Sequence, residues 1–140
     1  MRFMDEYMMV LSLEIDREKE RILPCLHTIK SSDTLQEFRR IIACDLITCT
    51  EIEVHGKRYD VWSDDEGLLV EKPVPTLYVN DDLILFGNLI FATQDEGITT
   101  GLNQEDVLLL LDYIGDQVLQ LYLWYNRCKK GRIENQSVAG

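Results

Sequence analysis

The segment from Leu83 to Thr93 reads LILFGNLIFAT and gives the strongest strand signal in the chain. Its apolar run is interrupted only by Gly87 and Asn88, a pair that predicts a kink or a bulge within the strand. Turns are predicted on both sides, at Asp81-Asp82 and at Asp95-Glu96-Gly97. The segment therefore predicts a long β-strand bounded by two acidic turns.

Four further strands are predicted upstream from runs of apolar and β-branched residues, at residues 8–15, 21–29, 46–54 and 59–62. Pro24 predicts that the second of these strands lies at a sheet edge or carries a bulge. A slip in the alternation of the third strand predicts a bulge there. His55-Gly56-Lys57 is typical of a tight turn, so the third and fourth strands should form a hairpin.

A short helix is predicted between the second and third strands. Apolar residues between 35 and 42 recur at spacings of three and four, which gives this helix one apolar face. Asp33, followed three residues later by Gln36, predicts a capping box at its start.

A long helix is predicted to begin at Asn103, a favourable N-cap, with Glu105 and Asp106 in the first turn, where the helix dipole favours anions. Its predicted core-facing stripe has spacings of three and four: Val107, Leu110, Leu111, Ile114, Val118, Leu121 and Tyr122. Other apolar residues lie off this stripe, which predicts either deep burial or an oligomer contact. The candidates for that contact are Leu119, Leu123 and Trp124.

These elements predict an α+β fold, with a curved, mainly antiparallel sheet packed by one short helix and one long C-terminal helix. The 140 residues are enough for one domain, predicted over residues 1–126 and followed by a basic, flexible tail over residues 127–140. The longest uninterrupted apolar runs have five residues, and Asp5 and Glu6 precede any apolar stretch. A cytoplasmic protein is therefore expected.

The net charge of −11 is unevenly spread. The last fourteen residues carry a local charge of +3, which leaves −14 for residues 1–126. A body this negative repels phosphate backbones, so direct binding to nucleic acid is not expected. It suits a partner with a basic surface, and the alternative is that the charge serves only solubility.

Three acidic turns are the candidate partner-binding residues: Asp64, Asp65 and Glu66; Asp81 and Asp82; and Asp95 and Glu96. Gathered at one end of the sheet, they would form a patch able to imitate the phosphates of DNA. Such acids could instead hold Mg²⁺ or act as acid and base in an enzyme, although turns favour acids in any case. The sequence contains none of the common nucleophile, phosphate-loop or dinucleotide motifs, so a non-enzymatic role is expected.

Cys25, His27, Cys44 and Cys49 are the candidate metal ligands. Four nitrogen or sulfur ligands would satisfy a tetrahedral zinc ion, but their spacing does not repeat the Cys-x-x-Cys pairs of known zinc modules. In a reducing cytosol the alternative is free thiols and a surface histidine. No cofactor is the leading expectation, and a small zinc-stabilised regulatory domain is the alternative.

The order of elements over about residues 34–114 resembles domain-of-unknown-function family 3846, a family of uncharacterised phage and mobile-element proteins. The resemblance is carried by the short helix at 35–42 and then by IEV (52–54), VWSDDEG (61–67), DLILFGNLIF (82–91), DEG (95–97) and GLNQED (101–106). It implies an α+β fold and a phage or mobile-element setting, with the host-cell cytoplasm as the location if a phage encodes the protein, and it gives no activity. The longer terminal helix and the segment Pro73 to Pro75 depart from the family pattern.

The sequence and this resemblance together predict a non-enzymatic acidic protein that binds and inhibits a host nucleic-acid-handling defence protein such as a Cas nuclease. It would be of the anti-CRISPR or anti-restriction type, with DNA mimicry as a mechanism. The expected contacts include no nucleic acid and no membrane, and a homodimer through the C-terminal helix is a second candidate interaction.

Overall fold

The computed structural model describes residues 6–139, with side chains described as far as Lys130. Ten elements follow one another, together with short 3₁₀ turns at Ser31–Asp33 and Gly67–Leu69: β1 (Tyr7–Asp16), β2 (Arg21–Lys30), α1 (Thr34–Ile42), β3 (Ile47–Val54), β4 (Lys57–Asp64), β5 (Pro75–Asn80), β6 (Leu83–Phe86), β7 (Leu89–Asp95), β8 (Ile98–Thr100) and α2 (Gln104–Ala139). The predicted α+β class is confirmed, with one short and one long helix on antiparallel strands.

The main sheet has the strand order β2-β1-β7-β4-β3, and β8 pairs with the end of β7. Every pairing is antiparallel. β2 is an edge strand, as Pro24 predicts, because proline has no N–H to donate to a further strand. β5 and β6 form a separate hairpin.

The strand register assigns side chains to the two faces of the sheet, because directly paired residues point to the same side. Ser12, Ile90 and Trp62 are aligned across β1, β7 and β4, and they lie on the face covered by α1. Leu11, Phe91 and Val61 are aligned in the neighbouring row and lie on the opposite face, which the β5–β6 hairpin and α2 cover. The sheet is therefore the middle layer of three.

The core on the α1 face is small. Phe38, Ile41 and Ile42 of α1 are buried against apolar residues of β1, β2 and β7, and the ring of Trp62 lies 5.5 Å from that of Phe38. The fourth apolar residue of this helix, Leu35, is exposed. Only about one and a half turns of α1, from Phe38 to Ile42, therefore contribute side chains to this core.

The larger core lies on the opposite face. Leu77 and Leu85 of the hairpin and Val107 and Leu110 of α2 pack there against buried residues of β1, β3, β4 and β7. Tyr59, which is 1% exposed, is among the largest side chains in this core. The hairpin and the start of α2 thus close one continuous apolar layer.

Gly87 and Asn88 lie between β6 and β7 and separate them, which corrects the prediction of a single kinked strand from Leu83 to Thr93. Gly87 has a φ of +84°, a conformation that residues with a Cβ rarely adopt. The Asn88 side chain accepts a hydrogen bond from the N–H of Ile15 at 2.9 Å and donates one to the carbonyl of Ile41 at 3.0 Å. These contacts hold the crossing point between the hairpin and the main sheet.

Two smaller predictions are wrong. β3 pairs with β4 without interruption from Ile47 to Val54, so it has no bulge. Asp33 precedes α1 but makes no side-chain cap bond, and the hydroxyl of Thr34 donates instead to the carbonyl of Ser31 at 2.8 Å. The predicted His55–Gly56 turn is confirmed, with φ values of 51° and 80° at its two residues.

The start of α2 is fixed by a reciprocal cap, as Asn103 predicts. The Asn103 side chain accepts from the N–H of Asp106 at 2.8 Å, and the Asp106 carboxylate accepts from the N–H of Asn103 at 3.0 Å. The same carboxylate accepts from the Tyr59 hydroxyl at 2.7 Å and pairs with the Lys57 ammonium. This network ties the first turn of α2 to β4.

Candidate functional site

Carboxylates gather at the end of the sheet where β4 finishes, next to the loop that follows α1. Asp45, Asp64 and Glu66 line one surface depression there, with Asp65 beside them. The N–H of Asp65 donates to the carbonyl of Leu46 at 2.9 Å, which joins the two loops, and Asp64 accepts from the N–H of Glu66. We call these four residues the acidic end.

The Cys44 thiol lies within the electric field of the acidic end. Burial raises its pKa, and the nearby carboxylates of Asp64 and Asp45 raise it further, to about 11. A thiol with so high a pKa is protonated at neutral pH and is a poor nucleophile.

The other two predicted acidic turns lie elsewhere. Asp95 is the last residue of β7 and Glu96 follows it. Because β7 runs antiparallel to β4, both residues lie at the opposite end of the sheet from Asp64. Asp81 and Asp82 form the tip of the β5–β6 hairpin. The single patch considered from the sequence is therefore divided into three separate sites.

At the hairpin tip, Asp81 is engaged by the protein itself. Its carboxylate accepts from the Tyr78 hydroxyl at 2.7 Å and pairs with the Arg127 guanidinium at 2.9 Å. This pair links the hairpin to α2, and the backbone of α2 continues beyond Arg127 to Ala139. Asp82 is exposed beside it.

A groove of about 720 Å³ separates the hairpin from the far half of α2. Leu83, Ile84 and Phe86 line one side, and Trp124 and Tyr125 line the other. Trp124, predicted as an oligomer contact, is half-buried in this groove, whereas Leu119 and Leu123 are exposed on the outside of α2.

A line of exposed apolar residues runs along α2 on its outward side and reaches the rim of this groove at Tyr125. Leu108, Leu111, Val118, Tyr122 and Tyr125 are exposed, and Gly115 lies among them. We call these six residues the outer seam. Three of them (Leu111, Val118 and Tyr122) belong to the stripe predicted to face the core, and that part of the prediction is wrong because these side chains are exposed. Ile114 of the same stripe does pack against the core, and so does Tyr113, which lies off the predicted stripe.

The metal candidates are distributed across the sheet. Cys25 and His27 lie on β2 and Cys49 lies on β3, which are the two opposite edge strands of the five-strand path, and Cys44 follows α1. Within the part of the chain that the structure describes, no three histidine, cysteine or acidic side chains form a metal-binding group. The four cysteines are free thiols.

A polar network that the sequence analysis did not identify lies on the α1 face. The Glu14 carboxylate accepts from the Ser12 hydroxyl at 2.6 Å and lies 2.7 Å from Nε2 of His27, and the same nitrogen is 3.2 Å from the Ser12 oxygen. Partial burial opposes ionisation of Glu14, but the hydrogen bonds from Ser12, His27 and Cys25 outweigh it and lower the pKa of Glu14. The period-two spacing of Ser12 and Glu14 could have placed both on one face.

This network does not have the geometry of a catalytic triad. In a triad the serine and the carboxylate bind different ring nitrogens, whereas here both lie against Nε2 of His27. Ser12 is also fully buried and out of reach of a substrate. The contacts join β1 to β2 and satisfy polar groups beside the core.

Comparison with family models, with curated proteins and with solved structures finds no match for this chain. Among the described residues, one helix segment, Gln104–Lys130, is long and apolar enough to cross a membrane by length and composition.

Proposed function

We propose that the protein is a non-enzymatic interaction protein of phage or mobile-element origin that binds and inhibits a host nucleic-acid-handling defence protein, such as a Cas nuclease. Three features support the proposal: the net charge of −11, the resemblance to family 3846 described above, and the clustering of carboxylates at the acidic end. The observation that carries it is the acidic end, where Asp45, Asp64, Asp65 and Glu66 lie close together.

The proposed mechanism is competition for a basic groove. Exposed carboxylates such as Asp65 and Glu66 resemble DNA phosphates in charge, and arginine and lysine side chains bind both kinds of group with charge-assisted hydrogen bonds. Negative charge also speeds the encounter with a basic partner and makes binding weaken as salt is added. The acidic end would therefore occupy the site where the partner holds nucleic acid.

The separation of the acidic turns gives the proposal a matched control. Asp65→Lys with Glu66→Lys reverses charge at the acidic end, and Asp95→Lys with Glu96→Lys makes the same change at the opposite end of the sheet. All four side chains are exposed, so neither pair of substitutions disturbs the core. Net charge, and with it long-range attraction, changes equally in both variants.

The test begins with wild-type protein immobilised and exposed to lysate of a host that carries its defence systems. A nucleic-acid-binding protein that is retained at low salt and released at high salt is then purified. Its affinity for the wild type and for the two variants is measured, together with its cleavage of labelled DNA in the presence of each. We expect the variant at the acidic end to lose at least about tenfold in affinity and to stop inhibiting, because several charge-assisted contacts are reversed. The variant at the opposite end should lose much less.

Equal losses in both variants would show that only net charge matters and would contradict a specific acidic site. Unchanged affinity in both would remove the electrostatic basis of the proposal. Recovery of no nucleic-acid-binding protein from such lysates would also contradict it.

A further inference from the structure

The outer seam of α2 has the spacing of a coiled-coil contact. Its six residues (Leu108, Leu111, Gly115, Val118, Tyr122 and Tyr125) follow one another at intervals of three, four, three, four and three. This is the alternation of a and d positions in a heptad repeat, which keeps one line of side chains facing a partner helix. At about 1.5 Å per residue the seam is about 26 Å long.

Together with the neighbouring Leu119 and Leu123, the seam exposes nearly as much surface as one side of a standard dimer interface. The exposed fractions of its five side chains and of the neighbouring Leu119 and Leu123 lie between 38% and 62%. Side chains of this size and exposure present on the order of 700 Å² in total, close to the roughly 800 Å² per partner of a standard interface. Contiguous apolar surface of this extent on a protein marks an interaction site.

The charges along α2 favour a second copy of the same helix in the antiparallel direction. The first half of the helix carries the exposed acids Glu105, Asp112 and Asp116, and the far end carries the exposed bases Lys129 and Lys130. A parallel pair would place acids against acids and bases against bases. An antiparallel pair instead places Glu105 at the start of each helix beside Lys129 and Lys130 of the other.

We propose that the outer seam binds a second copy of this chain, forming an antiparallel two-helix interface. Centring the pair on the middle of the seam sets Leu108 opposite Tyr125 of the second copy, Leu111 opposite Tyr122, and Gly115 opposite Val118. Each a position then meets a d position, as antiparallel pairing requires. The absence of a side chain at Gly115 lets the helices approach most closely at the centre.

A lipid bilayer is the other environment that an apolar helix of this length could occupy, and the contacts of α2 disfavour it. Val107 and Leu110 are buried in the protein core, and the Asp106 carboxylate is bound to β4. The segment would also carry Asp112 and Asp116 into the hydrocarbon, which is costly for charged groups.

The proposed dimer does not depend on the proposed function, because it concerns the purified chain alone.

The first experiment measures the dimer dissociation constant by sedimentation equilibrium for the wild type, for Leu111→Lys with Tyr122→Lys, and for the control Leu68→Lys with Ile98→Lys. All four residues are exposed, and the control residues lie outside α2. We expect a wild-type dimer, an increase of the dissociation constant of at least about 100-fold for the seam variant, and little change for the control. A wild-type monomer, or a dimer that the seam variant retains, would overturn the proposal, as would association only with lipid vesicles.

The second experiment tests the direction of the helices by disulfide formation, in a background where the exposed Cys49 and Cys128 are replaced by serine. The double variant Leu108→Cys with Tyr125→Cys should cross-link two chains, because these positions face each other in the antiparallel pair. The single variant Leu108→Cys should not, since its two copies lie at opposite ends of the seam. Cross-linking of the single variant would show a parallel pair and overturn the proposed register.

Discussion

The first two turns of α2 and the rest of the helix are both rich in apolar residues, but the first two turns are anchored in the core and the rest of the helix has an exposed apolar face. From Asn103 to Leu110 the helix is capped, bound through Asp106 to Lys57 and Tyr59, and buried at Val107 and Leu110. Beyond this point one face contacts the hairpin, and the other carries all of the outer seam except Leu108. The comparison shows that an apolar helix residue becomes core only where another element lies opposite it.

The largest expected effect is a difference in stability between alanine substitutions at two leucines that are two residues apart. Leu110 is fully buried, whereas Leu108 is 62% exposed. Leu110→Ala should lower the free energy of unfolding by about 2–4 kcal/mol because it leaves a cavity, and Leu108→Ala should change it by less than about 0.5 kcal/mol. Urea unfolding at protein concentrations below the dimer dissociation constant measures both. Equal losses of unfolding free energy in the two variants would show that Leu108 is as buried as Leu110 in solution.

The next effect concerns the anchor of the buried turns. Asp106→Asn removes the charge that holds the Lys57 ammonium and the Tyr59 hydroxyl, and it should cost about 1–3 kcal/mol at neutral pH. Burial opposes ionisation of Asp106, but the Asn103 N–H, Lys57 and Tyr59 outweigh it, so its pKa lies below the ordinary value.

The sign of this shift predicts a pH dependence. Because the folded pKa of Asp106 is depressed, its contribution to stability is present in full above about pH 4 and is lost as the pH falls through the folded value. The difference between wild type and Asp106→Asn should therefore shrink between neutral and strongly acidic pH. Urea unfolding of both proteins across this range measures it, and a constant difference would contradict the assigned ion pair.

The smallest effect tests the exposed part of the helix. A Cβ added at Gly115 has no atom within 4 Å, so nothing in the chain opposes an alanine there. Gly115→Ala should stabilise the monomer by roughly 1 kcal/mol because glycine is a poor helix former. Thermal unfolding at low concentration provides the measurement, and destabilisation would show that the outer seam is not open in the monomer.

Much of the fold could be predicted from local patterns, because those patterns depend on neighbours in the sequence. Asn103 could be recognised as a cap, and His55-Gly56 as a turn, since each residue type satisfies a local backbone requirement. The break at Gly87–Asn88 could not be recognised, because a kink and a change of sheet look alike in sequence. The distant partners of Asn88, at Ile15 and Ile41, decide between them.

The candidate surfaces could be predicted only in part, for the same reason. The acidic turns were visible in the sequence, but their separation depends on the antiparallel course of β4 and β7. Along α2, apolar residues occur on more than one face. Periodicity alone therefore predicts that Val118 and Tyr122 face the core, although both are exposed. The face of α2 that points inward is set by contact with the β5–β6 hairpin. The Gln117 side chain, for example, donates a hydrogen bond to the carbonyl of Tyr78 in β5 at 2.7 Å.

Hydrogen exchange of α2, measured by mass spectrometry at low micromolar and near-millimolar protein, tests most directly whether its outer face is an interaction surface. We expect peptides covering residues 111–126 to exchange more slowly at the higher concentration, because the second copy suppresses opening of this part of the helix. The peptide covering residues 103–110 should be protected at both concentrations by its contacts with the core. Exchange of residues 111–126 that does not change with concentration would contradict the account.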